Sequence, residues 1–299
     1  MDRSSYVRGM PKMSAPHSPQ WTLDDINWDQ FDPGKVDPDI LKAVKAASLV
    51  EANSPDYVTY LNNVFGHDAA TRDAFEQWGV EEAQHGRALA AWAKRADPGF
   101  DFDAAFARFQ SIYCLPLDAE ESVRGSRLGE MVARCVVESG TSSYYTAMRD
   151  LTDEPVLREI ATNIAADEFR HYKLFYETIE MLEAQEKVST LNRIWVALTR
   201  FKEADDDELA AAYFAANAPL NETFDAKTNS GAYEMRAFGM YQRKHMDRAC
   251  AMMAKAMGLS PQGALGKLFA SATWWTVQAR LWRLGRQNPT SKPGYKAAA

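Results

Sequence analysis

The chain has 299 residues, 46% of them hydrophobic, so it can bury a sizeable core in one large domain or two small ones. Its three cysteines, Cys114, Cys135 and Cys250, are too widely spaced for a CxxC zinc or rubredoxin-type site and provide no disulfide framework. No apolar run approaches the roughly 18 residues of a membrane-spanning helix, and the N-terminus lacks the apolar stretch of a secretory signal. These features predict a soluble protein of a reducing compartment, most simply the cytoplasm.

The net charge of −7 is unevenly distributed along the chain. From Arg236 to the C-terminus there are eleven Lys and Arg residues and one acidic residue, Asp247, so this part carries +10 and the remainder −17. The acidic remainder disfavours nucleic acid as a partner, whereas the basic part can meet an acidic partner. Within it, residues 274–284 mix tryptophan with arginine. We interpret them as a packed helix with an exposed basic edge; an interfacial helix or a dock for an acidic carrier are the alternatives.

Both ends of the chain lack the periodicity of regular structure. Residues 1–30 are interpreted as a flexible leader and residues 288–299 as a loose tail. Because Arg3, Arg8 and Lys12 outnumber Asp2, an organelle-targeting role of the leader stays open. No linker composition interrupts the rest, so we expect one helical domain over residues 31–287, with a core bundle over about 38–186 and an extension over about 188–286.

Apolar residues recur at spacings of three and four along almost the whole chain, and alternating strand patterns are missing. The fold class is therefore all-α. Asp37-Pro38, Asp118, Asp153 to Pro155 and Ser260-Pro261 are helix-start signals, whereas Gly66, Asp97-Pro98-Gly99 and Gly258 are stop signals. These signals predict helices over about 38–65, 69–96, 119–149 and 154–186, followed by about four more to residue 286. Pro55 lies inside the first helix and should kink it.

Two glutamates on these long helices are followed three residues later by histidine, as Glu82 by His85 and Glu168 by His171. On a helix this spacing directs both side chains to one point. The preceding helix of each pair carries a glutamate embedded in apolar sequence: Glu51 lies 31 residues before Glu82, and Glu138 lies 30 before Glu168. The two halves of the chain thus repeat with offsets of 87 and 86 residues.

Two helical hairpins related by a pseudo-twofold axis would bring these six side chains to the centre of a four-helix bundle. One Glu from each of two helices and a Glu-x-x-His from each of the other two is the ligand set of di-iron carboxylate proteins. Four carboxylates and two imidazoles suit two Fe²⁺ ions better than a thiolate-rich structural zinc site, and manganese is a lesser possibility. The alternative, solvent-facing side chains, conflicts with the apolar residues that precede Glu51, Glu138 and Glu168, because buried charges need partners.

These segments resemble the soluble, plant-type acyl-ACP desaturases of the ferritin-like di-iron superfamily over about residues 49–182. The resemblance lies in the helix around Glu51, in Trp78 to Gly86, in Ile164 to His171 and in Thr141, three residues after Glu138. It implies a ferritin-like four-helix bundle with a helical C-terminal extension. Gln84 stands where the family has arginine, and the C-terminal third does not visibly follow the family.

Three further residues are candidates for supporting roles. Asp167 could accept a hydrogen bond from His85 and fix its tautomer, with Glu81 as the counterpart in the other half of the chain. Plain surface charge is the alternative for both. Thr141 is the catalytic candidate, one helical turn after Glu138, and could offer its hydroxyl to oxygen at the metals; a hydrogen bond back to its own helix is the alternative.

The resemblance implies an oxygen-dependent oxidoreductase that removes two hydrogens from an acyl chain carried as a thioester on acyl carrier protein. Electrons would come from a separate ferredoxin-like donor, because the chain has neither a cysteine cluster nor a dinucleotide fingerprint. We also expect a homodimer. Two alternatives stay open: a di-iron hydroxylase or N-oxygenase with another substrate, and a non-enzymatic ferritin-like iron-binding protein.

Overall fold

The computed structural model describes residues 20–66, 69–203, 208–287 and 293–295 of the chain. All regular secondary structure within these ranges is helical. The all-α prediction is confirmed there. No helix in these ranges is long and apolar enough to cross a membrane. The helices are α1 (Pro38–Ala52), α2 (Ser54–Phe65), α3 (Ala69–Ala96), α4 (Phe102–Gln110), α5 (Arg127–Leu151), α6 (Pro155–Leu182), α7 (Thr190–Glu203), α8 (Glu208–Asn217), α9 (Ala226–Ala237), α10 (Arg243–Ala256) and α11 (Ala264–Gln287).

The helix predicted over 38–65 is divided into α1 and α2 at Asn53. Pro55 occupies the first turn of α2, where its missing N–H costs no intrahelical hydrogen bond, so the chain breaks before the proline rather than bending around it. The Ser54 hydroxyl donates a hydrogen bond to the Gly79 carbonyl oxygen at 2.9 Å, which ties the break to α3. Glu51 consequently lies in the last turn of α1.

Other helices also differ from the prediction. The helix expected from residue 119 begins at Arg127, because the Ser126 hydroxyl caps it by accepting from the Gly129 N–H, and Gly125, with φ of 79°, turns the chain just before. Helix α4 was not expected; Asp101 caps it. The last helix begins at Ala264 rather than at Ser260-Pro261, and the described residues of the extension form five α-helices, where about four were predicted.

The predicted leader packs on the bundle from Trp21 onward, so its boundary at residue 30 is wrong. Trp21 is buried, and short 3-10 turns follow at Leu23–Asp25, Trp28–Gln30 and Pro33–Lys35. The indole N–H of Trp21 donates to Asp167, and its carbonyl oxygen accepts from Gln84. An apolar aromatic group with a satisfied N–H gains more from burial than from solvent. Residues 1–19 lie outside the described parts of the chain.

The predicted loose tail also has a packed part. The Tyr295 hydroxyl donates to the carbonyl oxygen of Arg236, and the Gly294 N–H donates to Asp39 at 2.8 Å. These bonds hold residues 293–295 on α9 and near the start of α1. Residues 288–292 and 296–299 lie outside the described residues.

Two hydrophobic clusters form the core. One contains Leu49, Trp92, Met148 and Leu157 and includes residues of α8 and α9. The other contains Leu61, Phe75, Leu128 and Phe175 and includes residues of α7 and α10. Each of the long helices α3, α5 and α6 contributes its two ends to different clusters, and polar side chains occupy the middle.

Gly86 allows the close approach of α3 to the end of α1. A Cβ at this position would lie 2.7 Å from the backbone nitrogen of Ala52, next to Glu51. We expect Gly86→Ala to lower the free energy of unfolding by about 1–3 kcal/mol, because the packed backbones must separate. Gly140→Ala is the control: its Cβ would meet nothing within 4 Å, and alanine favours a helix by about 0.5–1 kcal/mol. Urea unfolding compares the two variants, and equal stabilities would contradict this account.

Candidate metal centre

Six buried side chains meet in the polar middle layer of the four long helical segments. They are Glu51 of α1, Glu82 and His85 of α3, Glu138 of α5, and Glu168 and His171 of α6. They form two overlapping groups, one of Glu51, Glu82, His85 and Glu168 and the other of Glu82, Glu138, Glu168 and His171. Within each group the possible ligand atoms lie within 4.8 Å of one another. The pattern of two halves read from the sequence is thus one continuous cluster in the fold.

Glu82 and Glu168 belong to both groups, and the distances show how. Nδ1 of His85 lies 3.2 Å from an oxygen of Glu168 and 3.7 Å from one of Glu82. Nδ1 of His171 lies 2.9 Å from the other oxygen of Glu82 and 3.7 Å from Glu138. The two oxygens of Glu82 therefore face different histidines, which is the arrangement of a carboxylate that can bridge two cations.

Several buried atoms of the cluster have no hydrogen-bond partner in the described parts of the chain: Nδ1 of His85, Nδ1 of His171, one oxygen of Glu138 and one of Glu168. An unpaired buried polar atom is costly, and an unpaired buried carboxylate more so. Mixed carboxylate and imidazole donors that point at a common volume fit divalent transition metals. The buried Glu/His cluster can therefore hold metal ions.

Each histidine is held from behind by a carboxylate. Nε2 of His85 lies 3.0 Å from Asp167, and Nε2 of His171 lies 2.9 Å from Glu81, the two contacts expected from the sequence. A carboxylate acceptor places the ring proton on Nε2, which leaves the Nδ1 lone pair free for a metal. Arg170 contacts both carboxylates, at 2.6 Å from Asp167 and 3.5 Å from Glu81.

The N-terminal segment completes this outer layer. The Trp21 indole donates to Asp167 at 2.8 Å, and its ring lies parallel to that of His85. Gln84, which stands where the desaturase family has arginine, donates to the Trp21 carbonyl oxygen at 2.7 Å. On the other side Trp78 meets the edge of His171. The imidazole of His85 is thus fixed by a residue 64 positions away in the chain.

Burial and mutual repulsion make the metal-free cluster retain protons. Burial, with the neighbouring Glu82, raises the pKa of Glu51 to about 8, and burial with Glu168 raises the pKa of Glu138 well above its usual value. Burial alone would lower the pKa of His85 and of His171, but hydrogen bonds to the surrounding carboxylates raise both well above 6.5. Cations must displace these protons, so metal affinity is expected to rise with pH.

Thr141 faces both the cluster and a neighbouring cavity. Its hydroxyl donates to Glu168, a contact that was not predicted, and lies 3.2 Å from the Val137 carbonyl oxygen, the contact with its own helix that was the alternative. Its catalytic role stays a prediction. The Tyr145 hydroxyl donates to Glu51, a contact that was not expected. Tyr145 lies seven residues after Glu138, two turns along the same helix face, so its position could have been inferred.

The cavity beside Thr141 has a volume of about 190 Å³ and largely apolar walls. Residues of α1, α5 and α7 to α10 line it, among them Val50, Val137 and Tyr233, together with Phe238 just after α9. A smaller cavity of about 60 Å³ adjoins the cluster itself, and the buried side chains of Arg134 and Glu208 are part of its lining. Arg134 precedes Glu138 by one turn and could have been inferred from that spacing, whereas nothing in the sequence places Glu208 here.

The fold and the cluster together define an all-α protein with a buried carboxylate and histidine centre compatible with a di-iron site. Comparison with known protein families and with curated proteins finds no match for this chain.

Proposed function

We propose that this protein is an oxygen-dependent oxidoreductase with a dinuclear iron centre in a ferritin-like bundle. The observation that carries the proposal is the sharing of Glu82 and Glu168 between two groups of metal-binding side chains. Two shared carboxylates can hold two cations a few ångströms apart, as two-metal catalytic sites require. One metal would be held with Glu51 and His85, and the other with Glu138 and His171.

When bound, a pair of iron ions supplies the activation of dioxygen and the oxidation of an unactivated C–H bond. The residues of the chain orient the metal ligands, exclude water from the site and hold protons near it. Asp167 and Glu81 hold the histidines with Nδ1 inward, and the two hydrophobic clusters exclude water from the middle layer. The Thr141 hydroxyl, which lines the cavity, donates its proton in a hydrogen bond to Glu168.

The first reaction we propose is desaturation of an acyl chain presented by acyl carrier protein, with a ferredoxin-like electron donor. Its support is the resemblance of the segments around Glu51, Glu82 and Glu168 to the acyl-ACP desaturases. An acidic carrier would meet the basic C-terminal part, where Arg283 and Arg286 are exposed while Arg280 is paired with Glu234. A homodimer of this chain belongs to the same proposal.

A second candidate reaction is monooxygenation of a small molecule, and the volume of the cavity supports it. A cavity of about 150 Å³ is known to enclose benzene, so the cavity of about 190 Å³ fits a group not much larger than one ring. That volume is short for the long acyl chains of membrane lipids. The extension that encloses the cavity also argues against iron storage, which has no need of an apolar chamber.

Turnover under ¹⁸O₂ separates the two reactions. With reduced iron, an electron donor and a substrate that is consumed, we expect a product two mass units lighter than the substrate and free of label. A product with one ¹⁸O atom would replace desaturation by monooxygenation. Glu168→Gln is the inactive control, because it removes a shared ligand. Absence of oxygen consumption by the iron-loaded protein with any substrate tested would contradict the oxidoreductase proposal.

A further inference from the structure

A buried arginine beside the Glu/His cluster has no hydrogen-bond partner among the residues that the structure describes. Arg134 of α5 is only 6% exposed, and its Nε atom is fully enclosed. Within the described residues its guanidinium makes no hydrogen bond. The nearest carboxylate oxygen, from Glu130, lies 4.0 Å from Nε, and the guanidinium carbon lies 4.7 Å from the ring centroid of Tyr57.

Glu130 forms a long ion pair with Arg134 but accepts no hydrogen bond from it among the described residues. One of its oxygens accepts hydrogen bonds from the hydroxyls of Tyr60 and Ser122 at 2.8 Å and 2.7 Å, which holds the carboxylate away from the guanidinium. An arginine stays charged at any physiological pH and has five N–H donors, so its burial without acceptors is costly. This cost would be offset by an anion bound in the adjoining space.

Arg200 of α7 and Glu208 of α8 lie at the same place. The Nε atom of Arg200 is also enclosed without a partner among the described residues, and so is one oxygen of Glu208. The other oxygen of Glu208 accepts from the Tyr57 hydroxyl at 2.6 Å. Burial raises the pKa of Glu208, which weakens the repulsion that this carboxyl would exert on an anion.

Arg200 and Glu208 lie between two neighbouring cavities and line both of them. Arg134, Arg200 and Glu208 line the space of about 60 Å³ next to Glu138 and Glu168, and Arg200 and Glu208 also line the apolar cavity of about 190 Å³. Thr141 and Val137 belong to the walls of both. A molecule with one end at the arginines and its body in the apolar cavity would therefore pass beside Thr141 and the Glu/His cluster.

We propose that Arg134, assisted by Arg200, binds the carboxylate of a small free monocarboxylic acid whose apolar body occupies the adjacent cavity. The planar guanidinium fork matches a carboxylate, and the cavity volume limits the body to roughly six to ten carbon atoms. This inference rests on the proposed oxidoreductase, since it names the substrate class of the same centre. A carrier-bound thioester has no free carboxylate, so this site favours a free acid over the carrier-bound substrate of the first reaction proposed above.

The test is ligand binding, measured by calorimetry on protein loaded with redox-inert Zn²⁺ and again on metal-free protein. The probes are phenylacetate and octanoate, each beside its neutral amide. We expect each acid to bind at least about tenfold more tightly than its amide. Arg134→Gln should weaken binding of the acids by about 10- to 100-fold, the usual range for loss of a charged hydrogen bond, and leave the amides unchanged.

Arg127→Gln, on the same helix but paired with Glu186, changes the net charge equally and should leave all affinities unchanged. If Arg134→Gln does not fold, Arg200→Gln should still weaken acid binding several-fold. Equal binding of acids and amides by the wild-type protein, or wild-type acid binding by Arg134→Gln, would overturn the inference. Binding of octanoyl-carrier protein without binding of either acid would overturn it in favour of the carrier-bound substrate. Because no turnover is needed, an inactive centre would leave this measurement intact.

Discussion

Replacement of Glu82 or Glu168 by glutamine is expected to empty the whole metal centre, whereas replacement of Glu51 or Glu138 should remove about one metal. The first two carboxylates belong to both groups of ligands, and each of the last two belongs to one. Wild-type protein produced in iron-rich medium should contain about two irons per chain, the number that this ligand set holds in di-iron bundles. Elemental analysis of the purified variants gives the metal content directly.

Glu130→Gln is the matched control for these variants. Glu130 is a buried glutamate of α5, two turns before Glu138, and its carboxylate binds Tyr60 and Ser122 rather than the cluster. This variant should keep about two irons. Circular dichroism of each variant separates loss of ligands from loss of fold. Retention of both irons by folded Glu82→Gln would refute the shared role of this carboxylate.

The metal-free protein is expected to lose stability as the pH rises from about 5 to about 9. Folding raises the pKa of Glu51 to about 8 and raises those of Glu138, Glu168, His85 and His171. A group whose pKa is raised by folding binds its proton more tightly in the folded state. Its stabilising contribution is therefore complete below the unfolded pKa and is lost as the pH rises through the folded value.

Glu82, Glu81 and Asp167 have the opposite behaviour. Their pKa values are lowered, chiefly because hydrogen bonds to the histidines and neighbouring groups outweigh burial, so their contribution is lost only in acid, below their ordinary values of 3.8 to 4.5. Between pH 5 and 9 the raised groups dominate. The expected loss of unfolding free energy is on the order of a few kcal/mol.

Urea unfolding of chelator-treated protein at several pH values measures this loss. Protein loaded with Fe²⁺ without oxygen should keep its stability over the same range, because the cations replace the protons. In Glu51→Gln the slope should be shallower, since an amide does not titrate. Metal-free protein that is more stable at pH 9 than at pH 6 would contradict the proton-retaining cluster.

The six residues of the cluster could be predicted from the sequence because short-range spacings along the helices identify them. Two Glu-x-x-His pairs at helical spacing, each with a glutamate about thirty residues earlier, leave few arrangements that bury all six side chains together. The boundary of α5 was not accessible in the same way. Asp118 and Ser126 are both acceptable caps, and the choice between them depends on the turn at Gly125 and on contacts of the finished fold.

Long-range contacts account for the other differences. The bond between Trp21 and Asp167 joins residues 146 positions apart, and no local pattern marks Trp21 as part of the centre. Arg134 shares a helix face with Glu138, yet its missing partner becomes visible only when Tyr57, Arg200 and Glu208 are in place around it. Such features depend on which helices pack together, and helical periodicity does not contain that information.

The crossed pairing of the two histidines has a consequence for the order in which the protein matures. Asp167 on α6 orients His85 on α3, and Glu81 on α3 orients His171 on α6. Each half of the chain thus carries a histidine whose orientation depends on the other half. An isolated hairpin would have its ligands in the right order but with free imidazole rotation. Correct ligand orientation is therefore acquired only when the two hairpins associate, so we expect metal binding to be a late event in biogenesis and partly assembled chains to bind metal weakly.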